Sequence, residues 1–237
     1  MRKNPPEFPE LEAILLDVDG TLYRQPPVRA RVVLRLLAAH ALRPWAAWRT
    51  LRLIAAYRHA QEQLRQLPVD GELAAAQLRL ASQRAGVAPE AAELLLRRWM
   101  QDAPLGPIAG AARRGLRDFL EVARARGLGI AVVSDYPVGA KLRALGVDDL
   151  IAVRVGAQDP DVQRFKPDPR GLRVALERLG VRAERALYVG DRPDVDGPAA
   201  RAAGVAVLIL GTHRRADVAG FPELRDRLFG QAPGTGR

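Results

Sequence analysis

The sequence predicts a doubly wound α/β fold, in which an all-helical insertion interrupts a parallel sheet of five or more strands. Short apolar runs alternate with helical stretches from residue 105 to residue 230, a pattern typical of a parallel sheet covered by helices on both faces. One further apolar run, at 11–16, is separated from the others by a long region of helical periodicity without a convincing strand.

The predicted elements follow in order along the chain. The run at 11–16 ends abruptly in a turn at Gly20 and is the first strand. Breaks at 43–44, 67–71 and 85–89 divide the helical region into about four helices, and the prolines and glycine of 102–107 indicate a hinge or linker. Beyond it we predict strands at 128–133, 150–155, 186–189 and 205–210, and helices at 111–126, 138–145, 169–179 and 193–203.

These elements predict a discontinuous domain organisation. A Rossmann-like core comprises residues 11–25 and 105–230, and an inserted helical cap domain comprises residues 26–104. Residues 1–10 and 231–237 are expected to be flexible tails.

Composition excludes several classes of site. The chain has 237 residues and no Cys, which rules out thiol nucleophiles, disulfide frameworks and zinc–cysteine sites. No segment has the composition of a targeting signal, and no apolar run approaches the roughly 20 residues that a membrane-spanning helix requires. We therefore expect a soluble, cytoplasmic protein, and the sequence leaves its oligomeric state open.

The formal charge is +10, and Arg is its main source. Lys occurs only at positions 3, 141 and 166, so Arg supplies the other 34 basic residues. Between residues 28 and 100 there are 12 Arg and 5 acidic residues. We interpret this as compositional bias rather than as a nucleic-acid footprint, and weak peripheral membrane association through the basic cap stays open. The helical spacing of Trp45 and Trp48 favours packing in the core over a cap floor, a membrane contact or a nucleic-acid contact.

Four polar groups lie where core strands end or in a loop that can reach the same edge. In an open α/β sheet, ligands bind outside the carboxyl ends of the strands. A carboxylate there can attack phosphorus, and a second carboxyl group can protonate the leaving oxygen and then activate water. Because the attacking carboxylate and the phosphate are both negative, the site also needs a divalent cation, a lysine and hydroxyl donors to offset their charge. The four groups are 17–21 (Asp-Val-Asp-Gly-Thr), Ser134, Lys166, and Asp191 with Asp196.

Each group also has an ordinary structural explanation. A calcium loop starting at Asp17 fails, because its glycine and its glutamate would fall at Leu22 and Val28. Ser134 alone suits a helix cap or a turn, Lys166 alone suits the solvated surface, and the acidic residues around Asp191 suit a helix N-terminus. Their joint occurrence at strand ends favours a catalytic site.

Together, the four groups resemble the motifs of the haloacid dehalogenase superfamily. The stretch 17–21 is similar to the first motif, and Ser134 after an apolar strand is similar to the second. The Lys-Pro-Asp-Pro of 166–169 is similar to the third motif, and 189–204, with Asp191 and Asp196, to the fourth. The resemblance covers nearly the whole predicted core and implies a Mg²⁺-dependent enzyme whose helical cap closes over a small substrate.

The resemblance also implies a role for each residue. Asp17 would be the nucleophile and a metal ligand, and Asp19 the general acid/base with its backbone carbonyl on Mg²⁺. Asp191 would be the third metal ligand, supported by Asp196. The phosphoryl group would be bound by Ser134, Lys166, Gly20, Thr21 and Asp135. At position 135 relatives often carry Asn, and the Asp here still offers its backbone N–H.

The resemblance favours a phosphatase of small phosphorylated metabolites. Asp19 argues against dehalogenation, whose enzymes lack this acid/base. Phosphonate hydrolysis is disfavoured because it uses a cap lysine, and residues 26–104 contain none. A phosphomutase of the same fold, or a non-catalytic protein that binds anions, membranes or nucleic acid through a basic cap, remains the alternative.

Overall fold

The computed structural model describes residue 8, residues 10–66 and residues 71–230. This part of the chain contains five strands, ten α-helices, one π-helical turn and two 3₁₀ turns. The strands are β1 (Ala13–Leu16), β2 (Gly129–Ser134), β3 (Val153–Gly156), β4 (Ala186–Gly190) and β5 (Ala206–Ile209). The α-helices are α1 (Gln25–Ala39), α2 (Pro44–Leu64), α3 (Leu73–Ala85), α4 (Pro89–Leu96), α5 (Leu105–Ala109), α6 (Leu116–Ala125), α7 (Gly139–Leu145), α8 (Arg170–Leu179), α9 (Asp196–Ala203) and α10 (Phe221–Phe229); the π-helical turn is Arg97–Asp102.

The five strands form one sheet in the order β3-β2-β1-β4-β5, and every neighbouring pair is parallel. The strand order reverses at β1, which lies in the centre between β2 and β4. The predicted doubly wound α/β fold is therefore confirmed. Ligand sites in such sheets lie at the carboxyl ends of the strands beside this reversal.

Alternate residues of the strands face two separate cores. Ile14 and Leu16 of β1 point to one side, where Phe119 of α6, Leu142 of α7 and Phe221 of α10 pack. Ala13 and Leu15 point to the other side, which α8 and α9 cover. This burial on both faces explains why the strands read as continuous apolar runs rather than as alternating ones.

The inserted helices, α1–α4 with the π-helical turn, lie between β1 and the rest of the sheet in the chain. Helices α2, α3 and α4 share a small apolar cluster around Leu53, Ala81 and Leu96. A second cluster joins α1 and α2 to the π-helical turn through Leu36, Ala47 and Trp99. Prolines at the starts of α1, α2 and α4 suit the first helical turn, where a missing N–H costs nothing.

The structure corrects two predictions about this region. Residues 102–107 are not a linker: the π-helical turn ends at Asp102 and α5 starts at Leu105. Trp45 and Trp48 do not pack in the core, because each is 65% exposed, and the buried tryptophan of the inserted helices is Trp99. Helical spacing identified the right kind of element but not which of its faces is buried.

Several predicted boundaries also move. The third strand starts at Val153 rather than at 150, because residues 148–150 form a 3₁₀ turn. Helix α9 starts at Asp196 rather than at 193, and α6 starts at Leu116 rather than at 111. The break at 67–71 and the tails at 1–10 and 231–237 lie mostly outside the described residues; within the first tail, Phe8 is half-buried against the core. No described helix is both long enough and apolar enough to cross a membrane.

Candidate active site

The predicted polar groups meet at the carboxyl edge of the sheet, beside its central strand. Asp17 and Asp19 follow β1, Ser134 ends β2, and Asp191 follows β4. Lys166 comes from the loop between β3 and α8, and Asp196 from the start of α9. Residues far apart in the chain thus lie together because parallel strands end at the same edge.

Lys166 lies at the centre of the buried part of the site. Its ammonium group is 2.5 Å from Oδ1 of Asp17, 2.8 Å from Oδ1 of Asp196 and 2.9 Å from the hydroxyl of Tyr188. Burial alone would lower the pKa of Lys166, but the carboxylates of Asp17 and Asp196 hold that pKa well above its ordinary value. The lysine therefore stays charged and fixes the position of the Asp17 carboxylate.

Three carboxylates share this small volume. Oxygens of Asp17, Asp191 and Asp196 lie within 4.8 Å of one another. Burial, reinforced by the neighbouring acids and opposed by Lys166, raises the pKa of Asp17 to about 8. Burial and the charge of Asp196 raise the pKa of Asp191 to about 6. Asp196 behaves differently: its burial is outweighed by Lys166 and by backbone hydrogen bonds, so its pKa is lowered.

The chemistry of this cluster fits a divalent cation. Carboxylate oxygens are the ligands that Mg²⁺ prefers, and one Lys cannot neutralise three acids. Oδ1 of Asp191 is also buried without a hydrogen-bond partner among the described residues. A buried carboxylate oxygen without a partner is costly unless a metal ion or water satisfies it. Asp17 and Asp191 are the residues that could hold the ion.

Gly20 allows Asp191 to approach the loop after β1. Its φ of +111° disfavours residues with a side chain, and an added Cβ would lie 2.0 Å from Oδ2 of Asp191. The guanidinium of Arg113 donates two hydrogen bonds, of 3.0 and 2.7 Å, to the carbonyl of Gly20. Thr21 donates to Oδ2 of Asp17 at 3.0 Å. In this structure Gly20 and Thr21 shape the loop and orient Asp17, and their predicted contacts to phosphate stay predictions.

Asp19 lies beside this cluster and has its own set of partners. Both of its carboxylate oxygens accept hydrogen bonds from the ammonium of Lys141, at 2.7 and 2.6 Å. The hydroxyl of Tyr23 donates to Oδ1, and Ser134 donates to Oδ2 at 3.2 Å. Burial alone would raise the pKa of Asp19, but Lys141 and these hydrogen bonds lower it. The backbone oxygen of Asp19 accepts a hydrogen bond from the side chain of Gln25.

Asp135 ties the inserted helices to the site. Its Oδ2 accepts hydrogen bonds from Gln61 at 3.1 Å and from Arg65 at 2.7 Å, both on or just after α2. Its Oδ1 accepts one from the backbone N–H of Lys166 at 3.1 Å. The carboxylate is thus committed to protein contacts, and binding of phosphate by the backbone N–H of Asp135 stays a prediction.

Sequence reasoning missed several residues of the site. Lys141, Tyr23, Tyr188 and Arg113 contact the predicted acids or their loop, yet none belongs to the four sequence groups. One signal could have found Lys141: the chain uses Arg almost everywhere, and only three lysines occur. The two lysines beyond position 3 both contact predicted catalytic carboxylates.

A cavity of about 730 Å³ opens over the site and separates it from the inserted helices. Its floor is formed by the carboxylates, Ser134 and Lys166, and its wall by α1, α2 and the π-helical turn. Arg29 and Arg58 line it as well; burial lowers the pKa of Arg58, and the charges of Arg29 and Asp19 act on it in opposite directions. The arrangement can hold a phosphoryl group on its floor and the rest of a small molecule beneath the inserted helices.

Comparison with known proteins identifies the family. Residues 11–204 match the haloacid dehalogenase-like hydrolases. The chain belongs to this family. The phosphoglycolate phosphatase of Rhodospirillum rubrum is 34% identical over 215 residues, which cover 84% of this chain and 79% of that protein. The phosphoserine phosphatase of Thermus thermophilus is 36% identical over 152 residues, which cover 62% of this chain and 58% of that protein. The resemblance inferred from the sequence motifs is confirmed.

Solved structures of the same superfamily share the fold of this hydrolase. A 2-haloacid dehalogenase from Pseudomonas syringae superposes with a TM-score of 0.65 at 21% identity, covering 92% of this chain and 98% of that one. CbbY from Rhodobacter sphaeroides, in complex with phosphate, superposes with a TM-score of 0.60 at 24% identity, covering 90% of this chain and 96% of that one. At these identities the likeness shows the fold alone.

We expect Lys141→Gln to lower the free energy of unfolding by about 3 kcal/mol, because Asp19 then keeps a buried charge without its ammonium partner. The double variant Asp19→Asn/Lys141→Gln should recover most of this loss, since no buried charge remains unpaired. Lys141→Arg, which keeps the positive charge, is the matched control and should lose less. Urea denaturation of Lys141→Gln, of Asp19→Asn and of the double variant measures the coupling energy of the pair. Strictly additive losses of stability would show that the pair does not interact.

We expect Asp191→Asn to stabilise the protein in EDTA by about 1–3 kcal/mol at pH 7, because it removes a buried negative charge that lies beside the Asp196 carboxylate. The raised pKa values mean that, without metal, the native state binds more protons than the unfolded chain between about pH 4 and 8. Stability of the metal-free wild type should therefore fall as the pH rises through this window, and less steeply in the variant.

The same variant tests the metal site. Mg²⁺ should raise the Tm of the wild type and of the control Asp118→Asn, which changes an exposed acid on α6. In Asp191→Asn this Mg²⁺-induced rise should be lost. A rise of equal size in Asp191→Asn would contradict a ligand role for this residue.

Proposed function

We propose that this hydrolase is a phosphatase that cleaves a small phosphomonoester through a covalent intermediate on Asp17. Its reaction class is the hydrolysis of phosphoric monoesters, as the names of the relatives with 34% and 36% identity indicate. One observation carries the proposal: two carboxyl groups of a single loop lie at the floor of the cavity, and Lys166 and Thr21 each hold one oxygen of Asp17. A carboxylate held in place beside a second carboxyl group suits a nucleophile with a neighbouring acid/base.

In the first step a carboxylate oxygen of Asp17 attacks the phosphorus of the substrate. An oxygen–phosphorus bond to Asp17 forms while the bond to the leaving oxygen breaks, and the Asp19 carboxyl group gives its proton to that oxygen. Lys166 and Thr21 hold Asp17 in position, each contacting a different carboxylate oxygen. The Lys166 charge also offsets the negative charge that gathers in the transition state.

In the second step water hydrolyses the aspartyl phosphate. Asp19, now ionised, accepts a proton from water, whose oxygen attacks phosphorus as the bond to Asp17 breaks. Phosphate leaves and both carboxyl groups return to their starting states. Mg²⁺ held by Asp17, Asp191 and the Asp19 carbonyl would, when bound, offset the charge of the phosphoryl group and lower the pKa of Asp17, which is about 8 without it, so that Asp17 is ionised for the attack.

The contact between Lys141 and Asp19 affects the two steps differently. Its ammonium favours the ionised form of Asp19, which suits the second step but opposes proton donation in the first. We infer that the ion pair loosens when an anionic substrate enters, because Lys141 then has a second negative partner in the cavity. The hydroxyl of Ser134 donates to Asp19 here. Once the substrate is bound, the same hydroxyl would donate to a phosphoryl oxygen instead.

The cavity also supports a substrate with a second anionic group. Arg29 and Arg58 extend from α1 and α2 into the cavity beside Asp19. Arginine suits carboxylate because it can donate two parallel hydrogen bonds. Phosphoglycolate and phosphoserine, named for the relatives, each carry a carboxylate next to the phosphate ester.

Asp17→Asn is expected to lower turnover of p-nitrophenyl phosphate by about 10³-fold or more, since the amide cannot act as the nucleophile. Asp118→Asn is the matched control and should keep wild-type activity. Phosphate release is measured with Mg²⁺ and with EDTA, and we expect activity only with the metal. Activity that survives in Asp17→Asn would rule out the covalent mechanism.

Arg58→Ala is expected to lower kcat/KM for phosphoglycolate by about 10- to 100-fold, because a charged hydrogen bond to the carboxylate is lost. Turnover of p-nitrophenyl phosphate, which has no carboxylate, should change by less than about 2-fold. Arg84→Ala, an exposed position on α3, serves as the control. Equal losses on both substrates would mean that Arg58 does not select the carboxylate.

A further inference from the structure

The tip of the α1–α2 hairpin exposes an unusual set of large apolar side chains. Leu34 is 66% exposed, Leu42 is 96% exposed, and Trp45 and Trp48 are each 65% exposed. Leu37 completes the set at 47%. These five residues and Arg43, Arg49 and Arg52 are called the hairpin tip below. They span the last two turns of α1, the connection and the first turns of α2.

The exposed apolar residues lie on helix faces that the core does not use. Val28, Val32 and Leu36 form the buried stripe of α1, and at 100° per residue Leu34 and Leu37 project from the opposite side. On α2, Trp45, Trp48 and Arg52 follow at i, i+3 and i+7 and therefore share one face. The five apolar residues of the tip do not line the cavity over the site. Neither core packing nor the proposed reaction accounts for them.

The charge around these side chains has one sign. No acidic residue occurs from position 20 to position 61, whereas eight arginines do. Arg43, Arg49 and Arg52 are exposed. None of the three forms a salt bridge with any residue that the structure describes. A large apolar surface thus adjoins cations whose charge is not neutralised locally.

We propose that the hairpin tip docks on the surface of an anionic lipid bilayer. Leucine and tryptophan side chains on one face of a basic helix are typical of segments that lie in the interface between headgroups and acyl chains. Tryptophan is enriched at this depth because its ring is both apolar and polar. The arginines would face lipid phosphates, and each basic residue near an anionic surface adds to the attraction. This proposal does not depend on the proposed catalytic function.

The charge pattern favours a membrane over a second copy of the chain. A two-fold dimer through the hairpin tip would place the same surface against itself. Arg43, Arg49 and Arg52 would then meet their own counterparts, and residues 20–61 contain no acid to pair with them. Nucleic acid would satisfy the arginines but would leave exposed leucines such as Leu42 without an apolar partner. A bilayer offers both anionic phosphates and hydrocarbon.

The test is co-flotation of the full-length chain with vesicles. We expect binding to vesicles of phosphatidylglycerol and phosphatidylcholine, little binding to phosphatidylcholine alone, and release in about 0.5 M salt. The variant Trp45→Ser/Trp48→Ser should weaken binding by about 10-fold or more, because it removes the inserted rings. Leu94→Ser is the matched control: Leu94 on α4 is 69% exposed but lies outside the hairpin tip.

A second pair of variants separates the hairpin tip from bulk charge. Arg49→Gln/Arg52→Gln should weaken vesicle binding by about 10-fold or more, whereas Arg214→Gln/Arg215→Gln should leave it unchanged. Both pairs remove two exposed arginines, so the net charge of the two variants is the same. Circular dichroism and thermal melting confirm that each variant is folded, whether or not the enzyme turns over a substrate.

Tryptophan fluorescence gives an independent reading of the same surface. In Trp99→Phe the two remaining tryptophans are those of the hairpin tip. Their emission should shift to shorter wavelength when anionic vesicles are added. The proposal is overturned if no vesicle binding occurs at low salt, or if both arginine pairs weaken binding equally. It is also overturned if the hairpin tip mediates a dimer, seen by light scattering, or a gel shift with RNA, while anionic vesicles do not bind.

Discussion

The rest of the site depends on the ion pairs that the ammonium of Lys166 forms with Asp17 and Asp196. The ammonium lies between Asp17 and Asp196 in a buried volume that holds three carboxylates. Without a buried cation, ionised acids this close would repel strongly, and the loops that carry them would separate. The backbone of the same residue is held by Asp135, which is bound in turn by Gln61 and Arg65. Lys166 thus links the central strand through its side chain, and the inserted helices through its backbone and Asp135, to the loop after β3.

Much of the fold could be predicted from the sequence because its strongest signals are local. Apolar runs buried on both faces, such as 186–190, and turns at glycine are specified by neighbouring residues. Predictions that depended on partners elsewhere in the structure were less accurate. Trp45 and Trp48 have the spacing of buried residues, but which face of α2 is buried is decided by α3 and α4. The linker at 102–107 has helix-breaking residues, yet Pro104 and Pro107 are accommodated around the start of a short helix.

The same distinction applies to the site. Residues at or directly after the ends of strands, such as Asp17, Ser134 and Asp191, could be found because the topology of a parallel sheet assigns them to one edge. Lys141 and Tyr23 could not, since they come from helix α7 and from the loop before α1 and reach Asp19 only through tertiary packing. Asp196 was already among the predicted site residues, but its closeness to Asp17 and Asp191, whose carboxylate oxygens lie with its own within 4.8 Å of one another, is not revealed by spacing in the chain. The roles of these residues rest on the proposed mechanism.

The central place of β1 in the sheet has a consequence for biosynthesis. Ala13 pairs with Gly129 on one side and with Ala186 on the other, so both partner strands are translated long after β1 has left the ribosome. The inserted helices are translated in that interval, and their contacts are mostly with one another. They can therefore form before β1 has paired with a neighbouring strand. Asp17 is therefore synthesised before every strand that flanks it, and its surroundings are completed only when β4 and the start of α9 have been translated.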